Sequence, residues 1–402
     1  MKRPGFLAAF AHRSFRLLWI GAFLSSVGTW IQDVALSWLI HVQTGDPFFL
    51  GLRRFAQDVP LLALMLVGGA FADRVDRRLI LLSSQVIQMG LAVALAVLYF
   101  SGHLGIAAIM IVAFLAGLTQ SQSAPTYQAV LPSLVPREHI PNAVALNSLQ
   151  FNTSRAIGPV IAGLLLAQVG TGACFVVNAT SFVVVILVLW RIRFPSPKQA
   201  GAENLAETLR TGVRHVAGDP MLRTFTLLVG ATSFLGFPLV TFLPTLAGDV
   251  LGTGATGYSL LLTSMGVGAI IGAVTTAQRG DAPGRGRLTL LHLAAFALVT
   301  AVAVLSRWQW VSMVFLVASG YTLTTALSTV SSLVQEHTPD ELRGRVMSIF
   351  GLAFRGGLPV GSLVGGLFVR QAGAPAVLAM ACLILLVLSV FLLLRHRELR
   401  AL

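Results

Sequence analysis

Residues 377–394 read VLAMACLILLVLSVFLLL, an apolar run with one serine and no charged residue. A helix needs about 20 apolar residues to cross the hydrocarbon core of a bilayer. The run is apolar on every face and too long for a strand of a membrane barrel, in which segments of about 10 residues alternate in polarity. FVVVILVLW at 182–190 has the same character. These stretches therefore predict transmembrane helices.

The rest of the chain repeats this pattern. Of its 402 residues, 55% are hydrophobic and 11% are charged, and the mean hydropathy is +0.82, outside the range of soluble globular domains. We predict an all-α polytopic membrane protein with twelve transmembrane helices and no soluble domain. The predicted spans are 17–40, 48–71, 79–100, 105–130, 143–167, 172–194, 222–246, 255–278, 287–305, 309–334, 346–369 and 374–394.

The basic residues predict the orientation, because short cytoplasmic loops retain Lys and Arg. With the N-terminus inside, most of the 28 Lys and Arg residues fall on the inner side, whereas the outer loops hold only Arg307 and Arg370. We expect a multi-pass protein of a prokaryotic cytoplasmic membrane with both termini in the cytoplasm. The net charge of +13 then reflects topology, and no nucleic-acid partner is needed to explain it.

The chain divides near its middle. The longest polar stretch, 194–222, has Pro and Gly at its ends and a short amphipathic segment between them. We predict an N-terminal six-helix bundle over 1–194, a cytoplasmic linker with a short amphipathic helix over 195–221, and a C-terminal six-helix bundle over 222–402. A weak internal repeat supports two related halves, because Arg155 precedes Pro159 by four residues and Arg355 precedes Pro359 in the same way.

Both arginines lie within predicted spans. A charge at mid-bilayer depth costs about 2.5–3.5 kcal/mol on insertion scales, and such residues usually face a bundle interior or a water-filled cavity. We therefore expect Arg155 and Arg355 to line a central substrate cavity. The alternative is that each is neutralised by a neighbouring helix for packing alone.

Two acids lie deep in spans, Asp33 and Asp58, and a cavity carboxylate with a movable Arg partner can take up and release a proton. We predict proton coupling at both, with a static Arg54–Asp58 bridge or sodium coupling as alternatives. Polar residues at helical spacing indicate cavity walls, with Ser328, Ser331 and Ser332 among those of the tenth span. The predicted cavity residues are Trp30, Gln32, Arg54, Gln120, Tyr127, Asn152, Arg155, Tyr321 and Arg355.

Signals of other protein classes are weak. GTGATG at 252–257 matches a dinucleotide-binding pattern, but no strand precedes it and it falls in a predicted outer loop. Cys174 and Cys382 lie in apolar spans, as buried small side chains do. No metal-ligand spacing or catalytic grouping stands out, so we expect neither an enzyme nor a resident cofactor, with the proton as coupling ion.

The segment GGAFADRVDRR, 68–78, resembles the loop between the second and third helices of the major facilitator superfamily, G-x-L-A-D-R-x-G-R-R/K. Asp76 replaces the usual Gly and Phe71 the usual Leu. The resemblance implies a cytoplasmic gate in which the carboxylate and guanidinium groups hold one conformation closed. Its residues would be Gly69, Asp73, Arg74, Arg77 and Arg78.

A second segment, RAIGPVIAG at 155–163, is similar to the antiporter motif of that superfamily. Gly158, Pro159 and Gly163 match its G-P-x-x-G-G core, whereas Ala162 replaces one Gly. The motif is associated with export. PDELRGRVMS at 339–348 and RFAQDVP at 54–60 look most like the drug-efflux and secretion-effector branch, which contains the enterobactin exporter. In the first of these we expect functional residues at Glu341, Arg343, Gly344 and Arg345.

Together these features predict a monomeric secondary transporter that exports small amphipathic compounds, drug-like or siderophore-like, by proton-coupled alternating access. One alternative keeps the fold but moves a lysophospholipid. Another is a membrane scaffold or sensor that transports nothing.

Overall fold

The computed structural model describes residues 7–67, 76–192, 205–279 and 284–395, and all regular structure in these ranges is helical. Short 3-10 turns occupy Ala8–Ala11, Leu131–Leu134 and Arg137–His139. Leu246–Val250 forms a π-helical turn. The α-helices are α1 (Arg13–Thr44), α2 (Pro47–Val67), α3 (Arg77–Phe100), α4 (Ile106–Val130), α5 (Ile140–Gln168), α6 (Thr171–Arg191), α7 (Leu205–Gly218), α8 (Pro220–Gly236), α9 (Pro238–Thr245), α10 (Gly254–Arg279), α11 (Arg285–Leu305), α12 (Gln309–His337), α13 (Asp340–Ala372) and α14 (Ala374–Arg395).

Ten helical segments in the described part are long and apolar enough to cross a membrane. One of them runs without a break through α8, α9 and the π-helical turn, from Pro220 to Val250. The predicted spans at 48–71 and 143–167 correspond to α2 and α5, which are long helices but are not among the ten. Both helices contain charged residues that the sequence places within spans: α2 contains Arg54 and Asp58, and α5 contains Arg155.

The chain forms two compact units. Unit 1 comprises Met1–Leu39 and Ala56–Ala202, and unit 2 comprises Ile40–Phe55 and Glu203–Leu402. The end of α1 and the start of α2 therefore pack with unit 2, although the rest of both helices belongs to unit 1. The predicted linker contains the helix α7, which also lies in unit 2.

In unit 1, α1 is held between α5 and α6. The indole nitrogen of Trp19 donates to the carbonyl of Leu146 at 2.9 Å. The amide of Gln150 donates to the Ser26 hydroxyl at 2.9 Å. On the α6 side, a Cβ on Gly28 would lie 2.4 Å from the Ser181 hydroxyl, so only glycine permits this approach.

In unit 2, small residues likewise bring helix backbones together. A Cβ on Gly268 of α10 would lie 1.9 Å from the Val317 carbonyl of α12, and one on Gly361 of α13 would lie 2.1 Å from that of Phe234 in α8. Gly268 is therefore a packing residue of the α10–α12 contact. The apolar core of this unit joins α8, α11, α12, α13 and α14.

Candidate functional site

A cavity of about 470 Å³ lies within unit 2, between α8, α12 and α13. Its volume falls in the range of sites for small molecules, about 300–1,000 Å³. Ser328 and Gln335 are exposed, so the cavity communicates with its surroundings. The lining residues are Val229, Leu327, Ser328, Ser331, Ser332, Gln335, Phe350 and Phe354.

Two kinds of surface meet in this cavity. Phe350 and Phe354, one helical turn apart on α13, supply aromatic rings, and the ring of Phe354 also contacts Phe237 edge-on with centroids 5.3 Å apart. The opposite wall consists of hydroxyl and carboxamide groups of α12. A ligand bound here would need an aromatic or apolar part and a polar part, which is the definition of an amphipathic compound.

The polar wall is ordered by hydrogen bonds within α12. The Gln335 amide donates to the Ser331 carbonyl at 3.0 Å, and the Ser332 hydroxyl donates to the Glu336 carboxylate at 3.1 Å. Glu336 in turn pairs with Arg285 at the start of α11, with a hydrogen bond of 2.9 Å. The cavity thus has an ion pair at one end, and its carboxylate fixes the orientation of a lining hydroxyl.

Only part of the polar stripe predicted for α12 reaches the cavity. Ser328, Ser331 and Ser332 line it, but Thr325 and Thr329 are buried in helix contacts, and the Thr329 hydroxyl donates to the Thr325 carbonyl. Tyr321 is half-buried beside His292 of α11, with ring centroids 5.9 Å apart. Tyr321 therefore lies two turns away from the serines along α12 and is not one of the cavity residues.

Arg355 follows Phe354 on α13 but lies on another side of the helix. Its side chain is exposed, and within the described residues it forms neither an ion pair nor a hydrogen bond. Helical spacing places it with Pro359, Ser362 and Gly366. Ser362 and Gly366 contact the start of α2. Arg355, predicted as a cavity residue, therefore does not line this cavity, and its exposed cationic group lies on a different side of α13 from Phe354.

The other predicted charged site residues are all partly buried; Arg54 belongs to unit 2, and Asp33, Asp58 and Arg155 belong to unit 1. Asp33, Arg54, Asp58 and Arg155 are half-buried, and each takes part in a side-chain or electrostatic interaction. Arg155 lies on a face of α5 away from Gln150, the residue that bonds to α1. None of these four residues is therefore without an interaction partner.

The other predicted cavity residues of unit 1 have varied environments. Trp30 lies in the α1–α5 contact, 6.5 Å from the ring of Phe151. Gln32 accepts a 2.8 Å hydrogen bond from Asn178 of α6, which places it in a helix contact. Gln120 is exposed, the Asn152 amide donates to the Ser148 carbonyl, and Tyr127 has a buried hydroxyl without a hydrogen-bond partner among the described residues.

The predicted gate motif is partly described. Gly69, Asp73 and Arg74 lie outside the described residues. The Asp76 carboxylate caps α3 by accepting from the Arg78 amide at 2.8 Å. The Arg78 guanidinium donates to the carbonyl of Trp190, where a cation is favoured by the helix dipole of α6. Arg77 begins α3 and is half-buried.

The antiporter motif occupies the middle of α5. A Cβ on Gly158 would lie 2.4 Å from the Cβ of Trp30, so this glycine permits the close approach of α1. Pro159 lies inside the helix, and Gly163 is buried. The structure thus links a motif glycine directly to a predicted cavity residue.

The first turns of α13 pack against the linker helix α7. Arg343 pairs with Asp340 at 2.6 Å and donates to the Gln335 carbonyl at 3.1 Å. A Cβ on Gly212 of α7 would lie 2.8 Å from the Arg345 carbonyl, so α7 approaches α13 closely. Glu341 and Gly344 are exposed.

Sequence reasoning missed the aromatic wall and Gln335. The signal was present, because Phe350 and Phe354 are four residues apart and immediately precede Arg355. Phenylalanine is common in membrane spans, however, and this spacing alone does not distinguish a cavity wall from a lipid-facing or core position.

Comparisons with known proteins agree with this architecture. Residues 5–401 match the family described as transmembrane secretion effector. The staphyloferrin A transporter of Staphylococcus aureus is 26% identical over 349 residues, covering 85% of this chain and 86% of that protein. The enterobactin exporter EntS of Escherichia coli is 28% identical over 394 residues, covering 94% and 92%.

Solved structures show the same fold. The inward-facing bacterial homologue of the iron transporter ferroportin has a TM-score of 0.73 at 17% identity and covers 95% of this chain and 99% of its own. At this identity the likeness shows the fold alone. The predicted fold class, a helical bundle of the major facilitator type, is confirmed.

Proposed function

Because this chain belongs to the transmembrane secretion effector family of the major facilitator superfamily, whose members are transporters and not enzymes, we propose that it exports small amphipathic compounds. Transport proceeds by alternating access and is coupled to proton entry. The compounds combine an aromatic or apolar part with anionic or phenolic groups, as siderophore-like molecules do. The protein resides in a prokaryotic cytoplasmic membrane, and a monomer suffices.

The cavity in unit 2 is the observation that carries the substrate class. Its two phenylalanine rings can stack on an aromatic group, and stacked rings contribute about 0.5–1.5 kcal/mol beyond their buried area. Its serine hydroxyls and the Gln335 carboxamide can bond phenolic or carboxyl oxygens. The names of two relatives, which state staphyloferrin A and enterobactin, support the same class.

Arg155 and Arg355 provide the selectivity for negative charge in this proposal. Arg355 lies on a different side of α13 from the aromatic wall, and its exposed guanidinium can form a bidentate bond with a carboxylate or a catecholate. Arg155 is half-buried in α5, where a lower dielectric strengthens an interaction with an anion.

Proton coupling is assigned to Asp33 and Asp58. Both are half-buried, so nearby solvent and neighbouring cations can change around each carboxylate during the cycle. An acid that is alternately hydrated and enclosed during the cycle can bind a proton on one side and release it on the other.

Everted membrane vesicles with an acidic interior test this function. The pH gradient is followed by a fluorescent probe while a catecholate, a cationic dye or a lysophospholipid is added. We expect the catecholate to dissipate the gradient and Asp33→Asn to abolish the response. Phe354→Ala should raise the half-saturating concentration about twofold to twelvefold, because it removes about 0.5–1.5 kcal/mol of stacking.

Arg307→Ala is the control for Arg355→Ala. Both side chains are exposed arginines of unit 2, but Arg307 lies in the loop between α11 and α12. We expect only Arg355→Ala to weaken the catecholate response. A response to lysophospholipid alone would replace this substrate class by a lipid, and no response from folded, inserted protein to any of the three compounds would contradict proton-coupled export.

A further inference from the structure

The Arg285–Glu336 pair at one end of the unit 2 cavity controls the hydrogen bonding of a cavity serine. The Arg285 guanidinium makes two bonds to the carboxylate, from Nη1 to Oε1 at 2.9 Å and from Nη2 to Oε2. Because the guanidinium donates to both oxygens, the carboxylate is ionised and can only accept hydrogen bonds. The Ser332 hydroxyl lies 3.1 Å from Oε1, so Ser332 is the donor in this bond.

This bond distinguishes Ser332 from other hydroxyls of α12. The Thr322, Thr329 and Thr338 hydroxyls donate to the carbonyl four residues earlier, a common arrangement in helices. Ser332 instead donates to Glu336, four residues later. A hydroxyl has one proton, and Ser332 gives it to the carboxylate. Only the lone pairs of its oxygen are left for a ligand, so Ser332 presents an acceptor to the cavity.

Gln335 presents an acceptor at the same end of the cavity. Its Nε2 donates to the carbonyl of Ser331 at 3.0 Å and to the Ser331 hydroxyl at 3.2 Å. A carbonyl cannot donate, which fixes the nitrogen on this side of the carboxamide. The Oε1 of Gln335 is therefore the atom left for a ligand. Ser332 and Gln335 together form what we call the acceptor end of the polar wall.

The other end of the polar wall has the opposite character. The Ser331 hydroxyl oxygen accepts from Gln335 and keeps its own proton, and the Ser328 hydroxyl forms no hydrogen bond within the described residues. Both hydroxyls can donate to a ligand. Ser328 and Ser332 are about one helical turn apart, about 6 Å along α12. The polar wall therefore changes from donors to acceptors along the helix.

We propose that Glu336 is a positioning residue that makes the cavity select ligands by the polarity of their hydrogen bonds. A bound compound places an aromatic ring against the phenylalanines, a hydroxyl or amide N–H at the acceptor end, and a carbonyl or carboxylate oxygen toward Ser328. A phenol binds here in its neutral form, because a phenolate has no proton to give to Ser332. The inference rests on the cavity of the proposed function and adds the orientation and protonation state of the ligand.

Two neutral probes binding to the purified full-length protein test this polarity. Methyl protocatechuate carries two adjacent phenolic hydroxyls, and methyl veratrate is the same molecule with both hydroxyls methylated, so that it has acceptors only. Isothermal titration calorimetry in detergent gives the dissociation constant of each probe. We expect the wild type to bind methyl protocatechuate about twofold to twelvefold more tightly, the effect of one net hydrogen bond.

Ser332→Ala distinguishes an acceptor from a donor. It removes the bond to a ligand hydroxyl, so the dissociation constant of methyl protocatechuate should rise about twofold to twelvefold, whereas that of methyl veratrate should not rise. Ser328→Ala is the matched control, because it removes a donor to the carbonyl that both probes share and should weaken both alike. A rise for methyl veratrate in Ser332→Ala would show that Ser332 donates and would overturn the proposal.

Glu336→Leu tests the positioning role. Without the carboxylate, the Ser332 hydroxyl can rotate and donate to a ligand, and only the neutral Ser328 carbonyl competes for its proton within the helix. The ratio of the two dissociation constants should therefore fall about twofold or more. Glu207→Leu, which alters an exposed acid of α7 outside the cavity, should leave the ratio unchanged. A purely structural ion pair would weaken both probes in proportion, and an unchanged ratio in Glu336→Leu would overturn the proposal.

The measurement uses neither a membrane nor a proton gradient, so its failure is distinguishable from failure of the proposed function. Equal affinity for the two probes, with export intact in vesicles, would remove the role of Glu336 and leave the function. A selective cavity in a protein that moves no protons would leave the inference and contradict the proposed coupling. Binding of neither probe would overturn the inference, because the cavity would not hold this class of compound.

Discussion

At the residue scale, Gly158 explains why a motif glycine is needed in α5. Its missing side chain leaves room for the Cβ of Trp30, which would lie 2.4 Å from an added Cβ. Hydrogen bonds from Trp19 and Gln150 join the same two helices about two to three turns away along α5. The helices therefore have no freedom to separate locally when a methyl group is added.

We predict that Gly158→Ala lowers the stability of the protein by about 1–3 kcal/mol, the usual cost of overpacking. Thermal unfolding in detergent measures the change. Gly90→Ala in α3 is the matched control, because an added Cβ there meets nothing within 4 Å. Equal unfolding temperatures for the two variants would show that α1 and α5 adjust to the methyl group.

At the element scale, Asp219 determines how α8 begins. Its carboxylate accepts hydrogen bonds from the amides of Met221 at 2.8 Å and Leu222 at 2.9 Å, and lies 3.1 Å from His337 at the end of α12. Partial burial works against ionisation, but these bonds outweigh it and hold the pKa of Asp219 below its ordinary value. The cap thus joins two helices that both border the cavity.

A lowered pKa means that the ionised cap stabilises the folded state. The full contribution is present above the ordinary pKa of aspartate, about 3.9, and is lost as the pH falls through the lower folded value. We predict that Asp219→Ala costs about 1 kcal/mol near pH 7, whereas Asp219→Asn, which still caps, costs less and removes this acid sensitivity. Unfolding midpoints at pH 7 and pH 3 measure both effects, and an acid sensitivity unchanged in Asp219→Asn would assign it to other groups.

At the scale of the whole molecule, the orientation in the membrane rests on the distribution of Lys and Arg. That distribution predicts the turn between α1 and α2 outside and the start of α13 inside. Cys174 and Cys382 are both buried, so the native protein offers little background for thiol labelling.

We predict that a membrane-impermeant maleimide labels Val42→Cys in intact cells but labels Glu341→Cys only after the cells are made permeable. Both positions are exposed in the structure, so accessibility differs by the side of the membrane alone. Labelling of Glu341→Cys in intact cells would invert the predicted topology.

The site was predictable only in part. Ser328, Ser331 and Ser332 were expected to form a polar wall, and they line the cavity. Gln32 was expected in the same role, but bonds to Asn178 in a helix contact. A polar side chain in a membrane helix can satisfy itself against another helix or in a cavity, and its spacing along one helix is the same in both cases.

The sequence by itself determined that the chain is an all-helical membrane protein with charged residues inside its spans, because apolar length and charge are local properties that a bilayer selects directly. The tertiary structure alone decided which face of α12 lines a cavity and that residues 40–55 pack with unit 2. Lipid-facing and buried surfaces are equally apolar, so the hydropathy of the sequence does not indicate which face of a helix points into the protein. His41 and Asp249 lie 3.5 Å from each other although they are distant in the sequence. Packing between helices determines such pairs.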